Sequence, residues 1–552
     1  MAKTSKNRIQ RRSATPRRTG PQGSGSRPQG APAWLWALGL GALAFFHRLC
    51  FLRSNRDRDW PFTIFYEGDS EFYFRFARSV AGGEVYDQGL PFHPPGFAYL
   101  LSWIHSWVGD GERIPHFDVK VVLAGLSSMA VCWLYLLTRR YLGHRVGLVA
   151  GLLATYHFGL YVISVAPVTE GVFLSLSLGI WYLFVTRFEH PLSAPDARPT
   201  TALWAPVLLG ALAGCAALVR AEAMLLPFLL VAFGLWGSWS TAGFGLGRLK
   251  QADVWGPWLV TLAAAALVVA PWTLHNHRTL SELNRDLEGK IAEPLPTFVP
   301  ITIYGPLNLA LANNSLADGS FSRDVMSSQK LQGNLDLEDP QHLEFVLHGD
   351  RMARRWIAEH PGDFLTLMGK KWELASRAAT LGFSQWNQPG GLDGVRRPVD
   401  VMTPERDGLR WILLPLAGAG LVVLWLVGGA ARRWLWLSFA ATLLPIISIT
   451  VFFGYVRQGL LMMPWVLVLV AAVLVAVAER GLQGLRPDAV PDRLSRRRAL
   501  ALVALVAVTM AVLEYRGVDD ERNYEATGTT IPGSHKLNRD QPVTLKVLPS
   551  KP

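Results

Sequence analysis

The chain has 552 residues, of which 50% are hydrophobic and only 17% are charged, and its mean hydropathy is +0.22. Long apolar runs alternate with short basic patches, a pattern that excludes a soluble globular enzyme, a disordered chain and a disulfide scaffold. The three cysteines, Cys50, Cys132 and Cys215, have neither metal-binding nor redox spacing. The net charge of +12 does not indicate a nucleic-acid partner, because residues 1–32 hold eight basic and no acidic residues and the other 520 carry only +4.

The N-terminal segment 1–32 is rich in Arg, Pro, Gly, Ser and Gln, a composition that predicts a disordered basic tail. A basic tail before the first apolar run marks the cytoplasmic side of the membrane. The run 33–52 is long enough to cross a bilayer. It is interpreted as an uncleaved first span, because it lacks the clear small-residue cleavage site of a signal peptide.

Ten further apolar runs predict spans, which we expect to be helices because lipid offers no partner to backbone amides. With the first run they make eleven: 33–52, 119–138, 146–165, 171–186, 203–219, 222–238, 254–273, 409–427, 433–453, 459–478 and 498–514. The loops that would face the cytoplasm hold the arginines, and the short loops opposite hold almost none, as the positive-inside rule requires. The run Phe97–Val108 has only 12 residues, and counting it as a span would invert this asymmetry, so it predicts a helix at the outer surface.

The predicted fold class is therefore an all-α integral membrane protein with about eleven transmembrane helices and with interfacial helices in its outward loops. Its predicted parts are an outer loop at 53–118, a bundle at 119–273, a second outer segment at 274–408, a second bundle at 409–514 and an outward polar tail at 515–552. Nearly all polar, non-basic sequence lies on the outer face, so we expect a functional site there.

The first outer loop contains three neighbouring carboxylates. Asp69, Tyr73, Phe76 or Ala77, and Val80 follow one another at the spacing of a helix, which predicts that a short helix starts at Asp69. Aspartate is a good helix N-cap, and it is also a carboxylate at the membrane edge that can act as a base. Glu67 and Glu71 are rival carboxylates, interpreted as solvated.

Two more polar residues follow on the outer face. His93 precedes two prolines, so it belongs either to a stiff structural turn or to a ligand-binding group. Glu170 lies between two apolar runs, where a carboxylate is costly unless it is hydrated or paired. It is either a loop tip or a second site carboxylate that faces a wet cavity.

Two arginines contradict the orientation rule. Arg220 and Arg457 are each the only Lys or Arg in a short outer loop. They either snorkel to lipid head groups or anchor a phosphate at the membrane surface, for which a guanidinium has a planar fork of donors. Two carboxylates and two arginines on one face suit a reaction on a lipid-linked phosphate, because a carboxylate can take a proton and cations can stabilise a leaving phosphate.

The order of these motifs resembles the GT-C membrane glycosyltransferases of the protein O-mannosyltransferase and aminoarabinose-transferase type. The matching pieces are, in chain order, Asp69-x-x-x-Tyr73 with Gly82-Gly83, His93-Pro94-Pro95, Val168-Thr169-Glu170, Arg220-Ala221-Glu222-Ala223, Pro271-Trp272-Thr273-Leu274-His275-Asn276, Phe298-Val299-Pro300, Asn308-Leu309, Ala312-Asn313-Asn314, His360-Pro361-Gly362-Asp363 with Lys370, and Tyr455-Val456-Arg457 followed by Met463-Pro464.

The resemblance implies an enzyme that takes a sugar from a polyprenyl-phosphate carrier in the membrane lipid and transfers it, with inversion, to a hydroxyl acceptor on the extracytoplasmic face. It implies that Asp69 is the catalytic base and that Glu170 helps to form the site. It also implies that Arg220 and Arg457 lie near the lipid phosphate. We expect no cofactor and no nucleic-acid partner, and we predict no metal ligands.

The remaining candidate substrate-binding residues are Tyr73, His93 and His275. His275 stands where the family usually has an arginine, which weakens a phosphate role at that position, and Asp69-Ser70 replaces the common Asp-Glu pair. Three rival functions stay open: a lipid-linked glycan transporter or flippase, a non-catalytic scaffold that binds such glycans, and an oligosaccharide ligase. Transporters usually place ionisable residues in mid-span and show repeat symmetry, whereas here the carboxylates lie at span ends.

Overall fold

A computed structural model describes residues 32–54, 69–83, 86–108, 116–189, 203–241, 252–320, 324–326, 335–380 and 410–480. Seventeen α-helices and no strand occur in this part of the chain. They are α1 (Ala33–Ser54), α2 (Asp69–Ala81), α3 (Gly96–Val108), α4 (His116–Leu142), α5 (His144–Tyr156), α6 (Phe158–Val165), α7 (Thr169–Phe184), α8 (Trp204–Val219), α9 (Leu226–Thr241), α10 (Ala252–Asp286), α11 (Gly305–Ala312), α12 (Pro340–Glu359), α13 (Pro361–Thr380), α14 (Arg410–Val427), α15 (Gly429–Val451), α16 (Val456–Leu460) and α17 (Met463–Arg480). The predicted all-α class is confirmed.

Ten of the predicted spans coincide with apolar helical elements. By length and composition, five single helices can cross a membrane, namely α1, α4, α7, α10 and α15. The run 146–165 is one bent pair, α5 and α6, whose axes differ by 63°, and α8, α9, α14 and α17 contribute four shorter apolar helices. The span predicted at 498–514 and the tails at 1–31 and 515–552 lie outside the described residues, so the count of eleven stays a prediction.

Helix α10 differs from its prediction. The apolar run was expected to end at position 273, yet the helix continues to Asp286 with Pro257 and Pro271 inside it. Beyond the apolar run, Leu280 and Leu283 still form a buried face at helical spacing. The helix therefore extends from the bundle into the second outer segment, because its amphipathic continuation has a core to pack against.

That second core lies outside the bundle. It joins the end of α10, the segment 295–303, α11 and α12 through buried side chains, including Leu283, Val299, Leu307 and Val346. Phe453, from the loop after α15, is buried in the same cluster. The larger core fills the bundle itself and contains Trp181, Trp434 and Tyr135, which are all almost fully buried.

Helix packing brings three chain-distant turns to one region. Helix α4 packs on α1, α5 and α7, and α7 packs on α8, which in turn lies against α10. Helix α16 contacts α6, and it rests mainly on α13. The turn before α7, the turn after α8 and the short helix α16 are thereby neighbours, and they carry the ionisable residues described next.

Candidate functional site

Glu170 lies in the first turn of α7, which begins at Thr169 after an extended residue. A carboxylate in the first turn is favoured by the helix dipole. The residue is only 4% exposed, so its charge needs partners within the protein. Glu170 is therefore not a loop tip, because the side chain at a loop tip would be exposed to solvent.

Arg220 supplies the nearest partner. It follows α8 in an extended conformation, before the 3₁₀ turn Ala221–Leu225. Its Nη1 lies 2.9 Å from Oε1 of Glu170 and donates a 3.1 Å hydrogen bond to Oγ1 of Thr169. Its Nε donates a 2.6 Å hydrogen bond to Oε1 of Glu222.

Arg457 reaches the same carboxylate from α16. Its Nη1 lies 3.8 Å from Oε1 of Glu170, and its side chain is 29% exposed. Glu170, Arg220, Glu222 and Arg457, which we name the Glu170 cluster, thus come from three separate turns. The structure brings together three of the predicted site residues and adds Glu222.

The charges of the Glu170 cluster balance, with two carboxylates and two guanidinium groups. Burial by itself lowers the pKa of Arg220, but the carboxylates of Glu222 and Glu170 outweigh it and hold that pKa above its ordinary value. Within the described residues, Nη2 of Arg220 has no hydrogen-bond partner. The cluster therefore presents a permanently charged guanidinium with a donor left for a ligand.

The first outer loop supplies the second group of predicted residues. Helix α2 begins at Asp69 as predicted, but the side chains of Asp69 and Glu71, and all of Glu67, lie outside the described residues. Tyr73, one turn later, is 7% exposed. Its ring contacts Phe97 edge-on at 5.0 Å and His93 at 6.3 Å between centroids.

His93 is held by a residue that the sequence analysis missed. Nδ1 of His93 lies 3.0 Å from Oδ2 of Asp87. The same oxygen accepts hydrogen bonds from the backbone N–H groups of Phe92 and His93 at 3.1 and 3.0 Å. Asp87 is buried and has a φ of 50°, a left-handed conformation that aspartate tolerates better than most residues. The turn composition Asp87-Gln88-Gly89 was the only sequence signal for it.

A close backbone contact joins the two groups. Gly96, which ends the His93-Pro94-Pro95 motif, packs on the last residues of α8, and a Cβ there would lie 2.8 Å from the carbonyl oxygen of Leu218. Leu218 is two residues before Arg220. The histidine motif is thus seated directly on the chain that presents the arginine.

His275 takes a different position. It stacks on Trp272 with 4.7 Å between centroids, and Nε1 of Trp272 donates to the carbonyl oxygen of Ile301 at 3.0 Å. Trp272 also contacts the ring of Tyr86 at 5.3 Å, next to Asp87. In the described part of the chain, the contacts of His275 do not include the Glu170 cluster.

Among the described residues, no group of three or more His, Cys, Asp and Glu side chains is placed to hold a metal ion.

A family model covers the part of the chain that carries most of these residues. Residues 92–275 match the model of the dolichyl-phosphate-mannose-protein mannosyltransferase family. This match includes His93, Glu170, Arg220 and His275, and it confirms the family resemblance predicted from the motifs. No curated protein is similar enough to count as a match.

Solved structures are also similar to the chain. One is the archaeal oligosaccharyltransferase AglB from Archaeoglobus fulgidus in complex with an inhibitory peptide and a dolichol-phosphate, at 15% identity and a TM-score of 0.45, covering 91% of this chain and 56% of that one. Another is ArnT from Cupriavidus metallidurans bound to undecaprenyl phosphate, at 16% identity and a TM-score of 0.30, covering 81% of this chain and 80% of that one. The chain thus spans little more than half of the oligosaccharyltransferase.

Proposed function

We propose that this chain, whose residues 92–275 match the dolichyl-phosphate-mannose-protein mannosyltransferase family, is a membrane glycosyltransferase. It moves a sugar from a polyprenyl-phosphate carrier to a hydroxyl acceptor. The observation that supports this function is the Glu170 cluster, in which two arginines at the ends of apolar helices contact the buried carboxylate of Glu170, and Arg220 also contacts the partly exposed carboxylate of Glu222. Such a site suits a phosphate that belongs to a membrane lipid.

The arginines bind the phosphate of the carrier. Nη2 of Arg220 has no described partner, and Arg457 is three-tenths exposed beside it, so both can donate to phosphate oxygens. When the bond between phosphate and sugar breaks, negative charge grows on the phosphate. Guanidinium groups fixed in advance stabilise that charge without having to reorganise.

Asp69 is the base in this proposal. Glu170 is engaged by two guanidinium groups, which makes it less available to take a proton, and its role is to hold Arg220 and Arg457 in place. Asp69 starts α2 in the first outer loop, the loop whose histidine motif packs on α8. It removes the proton from the acceptor hydroxyl, which attacks the anomeric carbon in a single displacement that inverts its configuration.

Tyr73 and His93 form the wall of the substrate site on the first-loop side. Asp87 fixes the orientation of the His93 ring through Nδ1. His275, stacked on Trp272, contributes a flat aromatic surface rather than a charge, and such surfaces suit the apolar faces of sugars.

The proposed orientation has the N-terminus in the cytoplasm and the Glu170 cluster on the extracytoplasmic side of the cell membrane. Labelling of single cysteines, in a chain with its three natural cysteines replaced, tests it. A membrane-impermeant maleimide should label Glu359→Cys on α12 in intact cells, and Arg145→Cys at the start of α5 only after permeabilisation. The reverse pattern overturns the orientation.

The catalytic proposal is tested with purified protein, a radiolabelled polyprenyl-phosphate sugar and membrane extract as the source of acceptor. Asp69→Asn should fold as the wild type does and lose transfer, whereas Glu71→Gln, two positions away on the same helix, should keep it. Wild-type turnover in Asp69→Asn removes Asp69 as the base. Movement of the labelled lipid across liposome membranes without sugar transfer would support a transporter instead.

A further inference from the structure

Helix α13 contains an ionisable residue that the proposed site does not use. Lys371 is 0% exposed, although its neighbour Lys370 is exposed and was the lysine of the predicted motif. The Nζ of Lys371 donates a 2.8 Å hydrogen bond to Oδ1 of Asn313 and lies 3.5 Å from the carbonyl oxygen of Thr450. A buried amine is costly unless its hydrogen bonds are made, so this position has a specific structural purpose.

The contacts of Lys371 join three elements that are far apart in the chain. Asn313, just after α11, also donates from Nδ2 to the carbonyl oxygen of Val451 at 2.9 Å. Nε1 of Trp372 donates to Oγ1 of Thr450 at 3.2 Å. Hydrogen bonds from these side chains to Thr450 and Val451 therefore hold the last turn of α15 against α13 and the end of α11.

The chain that leaves α15 leads directly to Arg457. Gly454 lies against the backbone of Lys371 so closely that a Cβ would overlap the carbonyl oxygen of Lys371. The N–H of Gly454 donates to the carbonyl oxygen of Gly319 at 2.8 Å. The segment 451–457 is therefore held by its backbone against the outer helices, and three residues after Gly454 it delivers Arg457 to Glu170.

We infer that Lys371 is a positioning residue for the lipid-phosphate site: it fixes the segment 451–457 and so sets the place of Arg457 beside Glu170. This inference rests on the proposed function, since it names how the second outer segment acts on the donor site. Lys371 does not touch the lipid in this scheme. It acts through hydrogen bonds to Asn313 and to the end of α15, which links the outer helices to the guanidinium that binds the phosphate.

Lys371→Met tests the inference, because methionine keeps an unbranched apolar stem and removes the amine. Lys370→Met is its matched control on the same helix. We expect Lys371→Met to weaken the binding of undecaprenyl phosphate, used without a sugar, by about tenfold, and to raise the KM for the donor more than it lowers kcat. Lys370→Met should leave both quantities unchanged.

A double-mutant cycle shows whether Lys371 acts through Arg457. In an Arg457→Gln background, Lys371→Met should weaken lipid binding little further, because the group that it positions is gone. Fully additive losses overturn the inference. Gly454→Ala, which displaces the same segment from the backbone side and leaves the amine in place, should weaken binding as well, and a wild-type affinity in that variant also contradicts the inference.

Hydrogen exchange gives a readout that does not depend on the reaction. Backbone amides in 452–458 should exchange faster in Lys371→Met than in the wild type and in Lys370→Met. Unchanged exchange in a folded Lys371→Met protein overturns the inference. If the wild type neither binds lipid phosphate nor transfers a sugar, the proposed function fails, and the exchange rates still decide whether Lys371 holds the segment.

Discussion

The Glu170 cluster predicts two interactions of unequal strength with one carboxylate. Arg220 lies 2.9 Å from Glu170, and both side chains are largely buried, at 11% and 5% exposure. Arg457 lies 3.8 Å from the same oxygen and is 29% exposed. Removing one partner of a buried pair costs about 3–5 kcal/mol, whereas exposed pairs are worth about 0.2–1 kcal/mol.

Two double-mutant cycles separate these interactions. Glu170→Gln is combined with Arg220→Gln in one cycle and with Arg457→Gln in the other. We expect a coupling free energy of about 2–3 kcal/mol with Arg220 and of less than about 1 kcal/mol with Arg457. The coupling with Arg220 should be the larger of the two, because Arg220 lies closer to Glu170 and is more deeply buried than Arg457.

The assay is reversible unfolding of the purified protein in detergent, followed by the fluorescence of its tryptophans, together with the affinity for undecaprenyl phosphate. Arg457→Gln should lose lipid affinity with little loss of unfolding free energy, while Arg220→Gln should lose both. Arg351→Gln, an exposed position on α12, is the control and should change neither. A coupling with Arg457 equal to or larger than that with Arg220 refutes the reasoning.

Three further predictions concern residues around the site. Gly96→Ala should abolish transfer or lower the melting temperature, because its Cβ would lie 2.8 Å from Leu218; wild-type values in both measurements would show that the two backbones can separate without effect. Asp87→Ala should cost about 2–4 kcal/mol of unfolding free energy, as it removes three hydrogen bonds around His93, and a loss below about 1 kcal/mol would contradict this. Burial lowers the pKa of Lys371 to about 7 from an ordinary value of 10.5, so in that window the unfolded chain binds a proton that the folded chain does not, and stability rises with pH. Lys371→Met should therefore lack part of the wild-type rise in unfolding free energy between pH 7 and 10, and identical pH profiles would rule out the lowered pKa.

The sequence alone indicated the family resemblance and three of the four residues of the Glu170 cluster. Glu170, Arg220 and Arg457 were conspicuous because each charge lies at the end of an apolar run, where lipid makes it costly. The sequence predicted only that these three residues lie on the same side of the membrane. The structure places both arginines beside the carboxylate of Glu170. Their roles as charge partner and phosphate ligands stay predictions, as does the role of Asp69.

Other features could not be predicted from local pattern. Asp87 was missed because its importance comes from hydrogen bonds around a turn, and Lys371 was passed over for Lys370 because burial depends on what packs against the helix. Helix α10 was ended too early for the same reason, since its polar-looking continuation has a core to contact only in the folded protein.

Hydropathy determined that the chain is a helical, multi-pass membrane protein, because the bilayer imposes a length, an apolar character and internal hydrogen bonding on each span separately. This constraint does not determine which helix ends lie next to one another. Tertiary packing decided that the turns bearing Glu170, Arg220 and Arg457 share one place, because only helix packing brings residues so distant in sequence within ion-pairing distance.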